Sequence, residues 1–133
     1  MAVSDPLRLS LYVHVPFCAS RCRYCDFFSV PVGPGAGPGG LASRVIERSI
    51  AQLDRFLARA PAVRFETVYV GGGTPSVLPR ALLSRLLFRL GDLDPEEWTV
   101  EANPESLDRS FLDTCARAGV TRLSVGLQSM DER

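Results

Sequence analysis

The chain has 133 residues, the length of one modest domain, and about 46% of it is apolar, enough to build a packed core. Fifteen basic residues, every one of them Arg, balance fifteen acidic ones, so no strong field steers nucleic acid or a membrane surface to the chain. No apolar run approaches the roughly 18 residues that a membrane span needs, and Met1–Arg8 lacks the basic start and apolar core of a signal peptide. The expected location is the reducing cytoplasm, where clustered cysteines are more often ligands than disulfides.

Residues 1–8 read as a loose start. Leu9–Val15 (LSLYVHV) is rich in strand formers and reads as a strand of a buried parallel sheet, apolar on both faces. Pro16 ends it. A loop holding Cys18, Cys22 and Cys25 then runs to about Phe28, and Val30–Gly40 (VPVGPGAGPGG) is expected to be a mobile connection without packed structure. Leu41–Ala60 carries Ile46, Ile50, Leu53 and Leu57 at helical spacing, which predicts an amphipathic helix. Thr67–Val70 is a second strand running into Gly71-Gly-Gly-Thr-Pro75. Leu82, Leu83, Leu86, Leu87 and Leu90 mark a second helix, with Pro79 in its first turn and Gly91 at its stop. Trp98–Ala102 is a third strand, Asp108 an N-cap for a third helix that Gly119 ends, and Arg122–Leu127 a fourth strand.

Alternation of this kind implies an α/β fold with a parallel sheet and right-handed crossovers. Four strands cannot close a barrel. Two architectures remain, a small open sheet or the front portion of a larger (β/α) barrel. The second is expected, because the motifs fall at strand ends and a complete site needs more walls.

Three of the four cysteines fall within eight residues as C-x₃-C-x₂-C. Three thiolates in one loop can ligate three irons of an iron–sulfur cube and leave the fourth open to a substrate or cofactor. The alternatives are a zinc site completed by His14, or a disulfide with a spare thiol. Cys115 reads as a small core residue. Gly71-Gly-Gly-Thr-Pro75 would let a ligand touch bare backbone, with Thr74 offering a hydroxyl; it lacks the Gly-Lys-Ser/Thr ending of a phosphate-binding P-loop. Glu101 ends the third strand, where a carboxylate could bind an ammonium or a ribose hydroxyl or simply be a surface group. Gln128 ends the fourth strand in the same way. Tyr12 and His14 share a face of the first strand by the two-residue period, and each is as suited to a structural role as to a ligand's.

Together these stretches resemble the radical S-adenosylmethionine (SAM) superfamily, and within it the group of oxygen-independent coproporphyrinogen III oxidases and HemW-type haem chaperones. The matching segments are Tyr12-Val-His-Val-Pro-Phe-Cys18, Cys22-Arg-Tyr-Cys25-Asp-Phe, Gly71-Gly-Gly-Thr-Pro-Ser, Glu101-Ala-Asn-Pro and Gly119-Val-Thr-Arg-Leu-Ser-Val-Gly-Leu-Gln128-Ser. The resemblance implies a partial (β/α) radical SAM barrel with about four of its strands, the rest of the barrel and the C-terminal region lying beyond residue 133, so that this piece alone is inactive. It implies that Cys18, Cys22 and Cys25 ligate a [4Fe–4S] cluster whose fourth iron is chelated by SAM. Tyr12, Tyr24, Gly72 and Glu101 match positions contacting that SAM, and Gly73, Thr74 and Gln128 match positions lining a second SAM site. One electron from the cluster would cleave the sulfonium to methionine and a 5′-deoxyadenosyl radical.

Asp26-Phe27 after Cys25, and Glu-Ala-Asn-Pro in place of an Asp before the Pro, resemble the chaperone branch. That branch implies haem as ligand and a haem-accepting protein as partner, with flavodoxin or ferredoxin as electron donor. The oxidase branch implies porphyrinogen decarboxylation instead. Met130 stands where the family usually has Phe, and the Pro/Gly stretch at 30–40 is unusual for it.

Overall fold

The computed structural model describes residues 5–33 and 39–130. The elements are β1 (Leu7–Val15), β2 (Phe17–Cys18), β3 (Val30–Pro31), α1 (Leu41–Arg59), β4 (Val63–Gly72), α2 (Arg80–Gly91), β5 (Glu97–Ala102), α3 (Arg109–Ala118) and β6 (Arg122–Val125). Single 3₁₀ turns follow β4 (Pro75–Val77) and β5 (Pro104–Ser106). The main sheet has four strands in the order β1-β4-β5-β6, all parallel. It is an α/β fold whose parallel sheet has helices on one face.

The sheet has one apolar and one polar face. Leu9, Leu11, Val13 and Val15 of β1 pair with Phe65, Val68, Val70 and Gly72 of β4. Val68 and Val70 pair in turn with Trp98 and Val100 of β5. That face is covered by helices, and Val15, Val70, Trp98 and Val100 are fully buried. Burying each side chain of this size contributes roughly 1.5–3 kcal/mol. The opposite face carries Tyr12, Tyr69, Thr99 and Arg122 in one row, with His14, Glu101 and Ser124 beyond them.

The expectation of a first strand apolar on both faces is therefore corrected. Alternation in LSLYVHV is real, and Tyr12 remains 54% exposed on the polar side. The second strand is longer than its apolar centre suggested. The pairing jumps from Leu9↔Phe65 to Ser10↔Thr67, which leaves Glu66 as an extra residue in β4. This bulge resets the two-residue period, so Phe65 and Val68 both face the helices. Conversely the fourth strand is shorter, ending at Val125.

Helix α2 buries Leu83, Leu86, Leu87 and Leu90. Arg89 donates twice to Asp54 Oδ1, at 2.8 and 2.6 Å, and Arg85 reaches Glu47 at 3.2 Å; both pairs tie α2 to α1. Gly91 is the last helical residue, and its reason differs from a left-handed stop: a Cβ there would lie 2.6 Å from the Ala118 carbonyl oxygen, so it lets α3 approach α2. The caps of α3 follow expectation. Asp108 accepts the Phe111 N–H at 2.7 Å, and Gly119 takes φ +96°.

Val30–Val32 is not a loose connection. The Val30 N–H donates to the Pro16 carbonyl and the Val32 N–H to the Cys18 carbonyl, both at 2.8 Å, forming the β2–β3 pair. Residues 34–38 of the Pro/Gly stretch and residues 1–4 of the expected loose start lie outside the described residues, whereas Leu7 and Arg8 already belong to β1. Among the described residues no helix is long and apolar enough to cross a membrane.

Candidate functional site

Parallel strands present their carboxyl ends at one edge of the sheet, and every chemistry-bearing motif lies at that edge. Beyond β1 comes the cysteine loop, from β4 the glycine run, at the end of β5 Glu101, and past β6 Gln128.

The cysteine loop is fastened at both ends. Cys18 sits on β2, and the β2–β3 pairing returns the chain to it after Cys25. His14 adds a third fastening. Its Nε2 lies 3.1 Å from the Phe28 carbonyl oxygen, which can only accept, so Nε2 carries the proton. Its Nδ1 then accepts from the Tyr12 hydroxyl at 3.0 Å. Both ring nitrogens of His14 are thereby engaged, Nε2 with the loop and Nδ1 with its own strand, and neither is directed at the cysteines. The Cys25 N–H donates to the Cys22 carbonyl at 3.2 Å, folding the C-x₂-C segment into a turn. All four cysteines are free thiols; Cys18 and Cys25 are half-buried and Cys22 is exposed, while Cys115 is buried among the helices. Burial pushes the Cys115 thiol up to about 11, against a smaller opposing pull from Arg80. Tyr24 is 73% exposed, and a hydrogen bond to Cys22, with that sulfur's charge, pushes its hydroxyl above the usual phenol range.

Each glycine of the run has a separate steric reason. A Cβ on Gly71 would strike the Glu101 carboxylate, and one on Gly72, at φ +107°, would enter the His14 ring. Gly73 lets the turn lie against the chain leaving β1, its N–H donating to the Val15 carbonyl at 2.8 Å. The Thr74 N–H follows, donating to the Phe17 carbonyl at 2.6 Å. The Thr74 side chain is 5% exposed; its hydroxyl donates to Cys18 Sγ at 3.7 Å and accepts from Asn103 Nδ2 at 3.3 Å.

Glu101 is held by two donors. Its Oε1 accepts from the Tyr69 hydroxyl at 2.6 Å and its Oε2 from the Gly72 N–H at 3.0 Å. A carboxylate has about four acceptor positions, so capacity remains for a ligand. The hydrogen bond to Glu101, then burial and the carboxylate's charge, raise the Tyr69 hydroxyl above its ordinary value. Burial and the same charge raise Tyr12.

The structure thus brings together Cys18, Thr74, Gly73 and the end of β1, and separately Glu101, Gly72, His14 and Tyr12. Gln128 stands apart from both groups. It is exposed, three residues beyond the end of β6 and not at a strand terminus, and its Nε2 donates to the Gly126 carbonyl at 3.3 Å. Four contributors escaped sequence reasoning. Tyr69 could have been found by applying the two-residue period to β4. Asn103, Ser76 and Arg80 could not, because they act between turns. The Asn103 N–H donates to Ser76 Oγ at 3.3 Å, Ser76 and Ser106 share a hydroxyl–hydroxyl bond, and Arg80 reaches Asp108 at 3.3 Å. These bonds lock the β4 and β5 exits together. An apolar groove of about 400 Å³, lined in part by Leu11, Val13, Ile50, Leu53, Phe56 and Phe65, is on the helix side and includes none of the cysteines or glycines.

The family model described as the Radical SAM superfamily matches residues 12–133, and the chain belongs to that superfamily. Over 127 residues it is 42% identical to the "Heme chaperone HemW" of Mycobacterium tuberculosis (strain ATCC 25618 / H37Rv), covering 92% of this chain and 32% of that protein. It is 37% identical to the HemW of Escherichia coli (strain K12), covering 93% of this chain and 33% of that protein. The "Oxygen-independent coproporphyrinogen III oxidase" of Cereibacter sphaeroides is 35% identical, with 92% and 28% covered. The solved structure of the Escherichia coli coproporphyrinogen III oxidase HemN, titled a radical SAM enzyme, superposes with a TM-score of 0.75 at 28% identity, covering 98% of this chain and 30% of that one. The chain spans about a third of the length of the relatives it matches.

Among the described residues no three His, Cys, Asp or Glu side chains converge as they would around one metal ion. A cube takes one thiolate on each iron, so its ligands stand around it and need not meet at a point. The donor set suits such a group. Three free thiols lie in one loop fastened at both ends, and a buried hydroxyl donor is aimed at one of the sulfurs.

Proposed function

We propose that this chain is the cluster-bearing portion of a HemW-like haem chaperone, binding a [4Fe–4S] cluster through Cys18, Cys22 and Cys25 and SAM beside it. The observation that carries the reading is the placement of the three free thiols at the strand-exit edge that also presents Gly72 and Glu101. When bound, the cluster supplies one electron to the sulfonium of SAM. The chain's own residues hold and orient. His14 fastens the cysteine loop, and Gly72 leaves room beside it. Glu101, fixed by Tyr69 and Gly72, offers its remaining acceptor positions to the SAM ammonium or a ribose hydroxyl. Tyr12 and Tyr24 complete this SAM contact; Gly73 and Thr74 belong to the edge of a second SAM position, and Gln128, which here stands apart from them, is assigned to it by the family resemblance alone.

Haem is the proposed cargo, passed on to a haem-requiring protein in the reducing cytoplasm, with a flavodoxin- or ferredoxin-type electron donor. Asp26-Phe27 after Cys25 and the HemW relatives at 37–42% identity support this over the second reading, an oxygen-independent coproporphyrinogen III oxidase. The HemN superposition and the 35% identity to an oxidase keep that second reading in view. The test is anaerobic reconstitution of the full-length protein with iron and sulfide, followed by haem titration and a coproporphyrinogen turnover assay. Stoichiometric haem binding without turnover is expected. Decarboxylation of coproporphyrinogen would overturn the chaperone assignment, and stoichiometric zinc in a colourless protein would overturn the radical SAM chemistry.

A further inference from the structure

Resting on the cluster assignment above, we infer that Thr74 is a positioning residue for Cys18, and that its hydroxyl sets the reduction potential of the cluster through that sulfur. Thr74 is 5% exposed, so its hydroxyl must find partners inside the protein. A hydroxyl has one hydrogen and two acceptor positions. Asn103 Nδ2 donates to Thr74 Oγ1 at 3.3 Å, which occupies an acceptor position and leaves the hydrogen to go elsewhere. Cys18 Sγ, at 3.7 Å, is where it goes.

The backbone holds this arrangement independently of the side chain. The Thr74 N–H is bonded to the Phe17 carbonyl, one residue before Cys18, and the Gly73 N–H to the Val15 carbonyl. Asn103 is in turn held from β5's exit, where its own N–H donates to Ser76 Oγ. The hydroxyl is thus fixed from two strands and directed at one of the three sulfurs.

The consequence is electrostatic. Reduction adds negative charge to the cluster and its thiolates. A fixed donor at a ligating sulfur stabilises the reduced form more than the oxidised one, so it raises the potential. Thr74→Val keeps shape and backbone but deletes the donor. Thr74→Ser keeps the donor.

The experiment is a redox titration of the anaerobically reconstituted chain, followed by electron paramagnetic resonance, with iron content measured alongside. It is done without SAM, so a lost cofactor contact cannot produce the shift. Thr74→Val is expected to move the one-electron equilibrium about tenfold toward the oxidised form, a potential about 59 mV more negative. Thr74→Ser should stay at the wild-type value. Asn103→Leu, which leaves the hydroxyl unoriented, should shift in the same direction by less. An unchanged potential in Thr74→Val with full iron content would overturn the inference, as would an equal shift in Thr74→Ser. If Thr74→Val fails to hold iron, Asn103→Leu decides in the same two ways. Failure of the wild-type chain to take up iron would instead remove the cluster assignment itself.

Discussion

Glu101 accepts the phenolic hydrogen of Tyr69 at 2.6 Å across the polar face of the sheet, while its other oxygen takes the Gly72 N–H at 3.0 Å. One carboxylate therefore joins the ends of β4 and β5 and fixes the first turn of the glycine run. A side chain held by two donors is preorganised, and a ligand meeting it loses less by ordering it.

Tyr69→Phe should cost about 1 kcal/mol at neutral pH, the net worth of one hydrogen bond. Its pH signature is sharper. The folded-state hydroxyl lies above 10.0, through the Glu101 hydrogen bond first. The stability this gives is complete below the unfolded value and is lost as pH climbs through the folded one. Urea midpoints measured between about pH 8 and pH 11 should fall more steeply in the wild type than in Tyr69→Phe. Some slope will persist in the variant, because Cys115 and Tyr12 are raised in the same sense. Parallel profiles would show that the bond is not made in solution.

Cysteine reactivity should divide sharply. The thiolate is the reacting form, and burial holds the Cys115 thiol at about 11. In the iron-free chain, iodoacetamide should modify Cys18, Cys22 and Cys25 well before Cys115, as read by peptide mass spectrometry. After reconstitution the first three should be protected. Cys22→Ser should abolish iron binding and Cys115→Ser leave it intact. Equal iron loss in both variants would mean the ligands are misassigned.

His14→Ala should loosen the cysteine loop without unfolding the sheet. The substitution removes the bonds to the Phe28 carbonyl and the Tyr12 hydroxyl. Amide hydrogen exchange at Val30 and Val32, whose N–H groups pair with Pro16 and Cys18, should accelerate, and β5 should not change. Exchange at wild-type rates would show that β2–β3 pairing alone holds the loop.

Gly73→Ala should cost about 1–3 kcal/mol, because the added methyl has nowhere to go against the backbone of Val15 and Phe17. Gly33→Ala is the control. Nothing lies within 4 Å of a Cβ there, and a change within about 0.5 kcal/mol is expected. Chemical denaturation separates the two. A tolerated Gly73→Ala would mean the turn can move off the first strand.

The order of strands and helices was legible because each segment's apolar spacing agrees with its element, and Asp108 and Gly119 announce the ends of α3 by their side chains alone. The cysteine loop was legible because its spacing is local. Four things were not. The β2–β3 pair was hidden because Val30–Val32 opens a Pro/Gly stretch that reads as unpacked. The bulge at Glu66 hides the true length of β4, since a period that slips by one residue looks like the end of a strand. The polar row on β1 was masked by the aromatic and imidazole rings of Tyr12 and His14, which read as apolar. The network of Thr74, Ser76, Asn103 and Arg80 joins turns separated by some 30 residues, and no local pattern reports a partner at that distance.

The most direct test of the cluster and its cofactor is the electron paramagnetic resonance spectrum of the reduced, anaerobically reconstituted chain, recorded with and without SAM. The account predicts a [4Fe–4S] signal that requires Cys18, Cys22 and Cys25 and changes shape when SAM is added, because one iron has no protein thiolate. A cluster signal indifferent to SAM, or one that persists in Cys22→Ser, would contradict it.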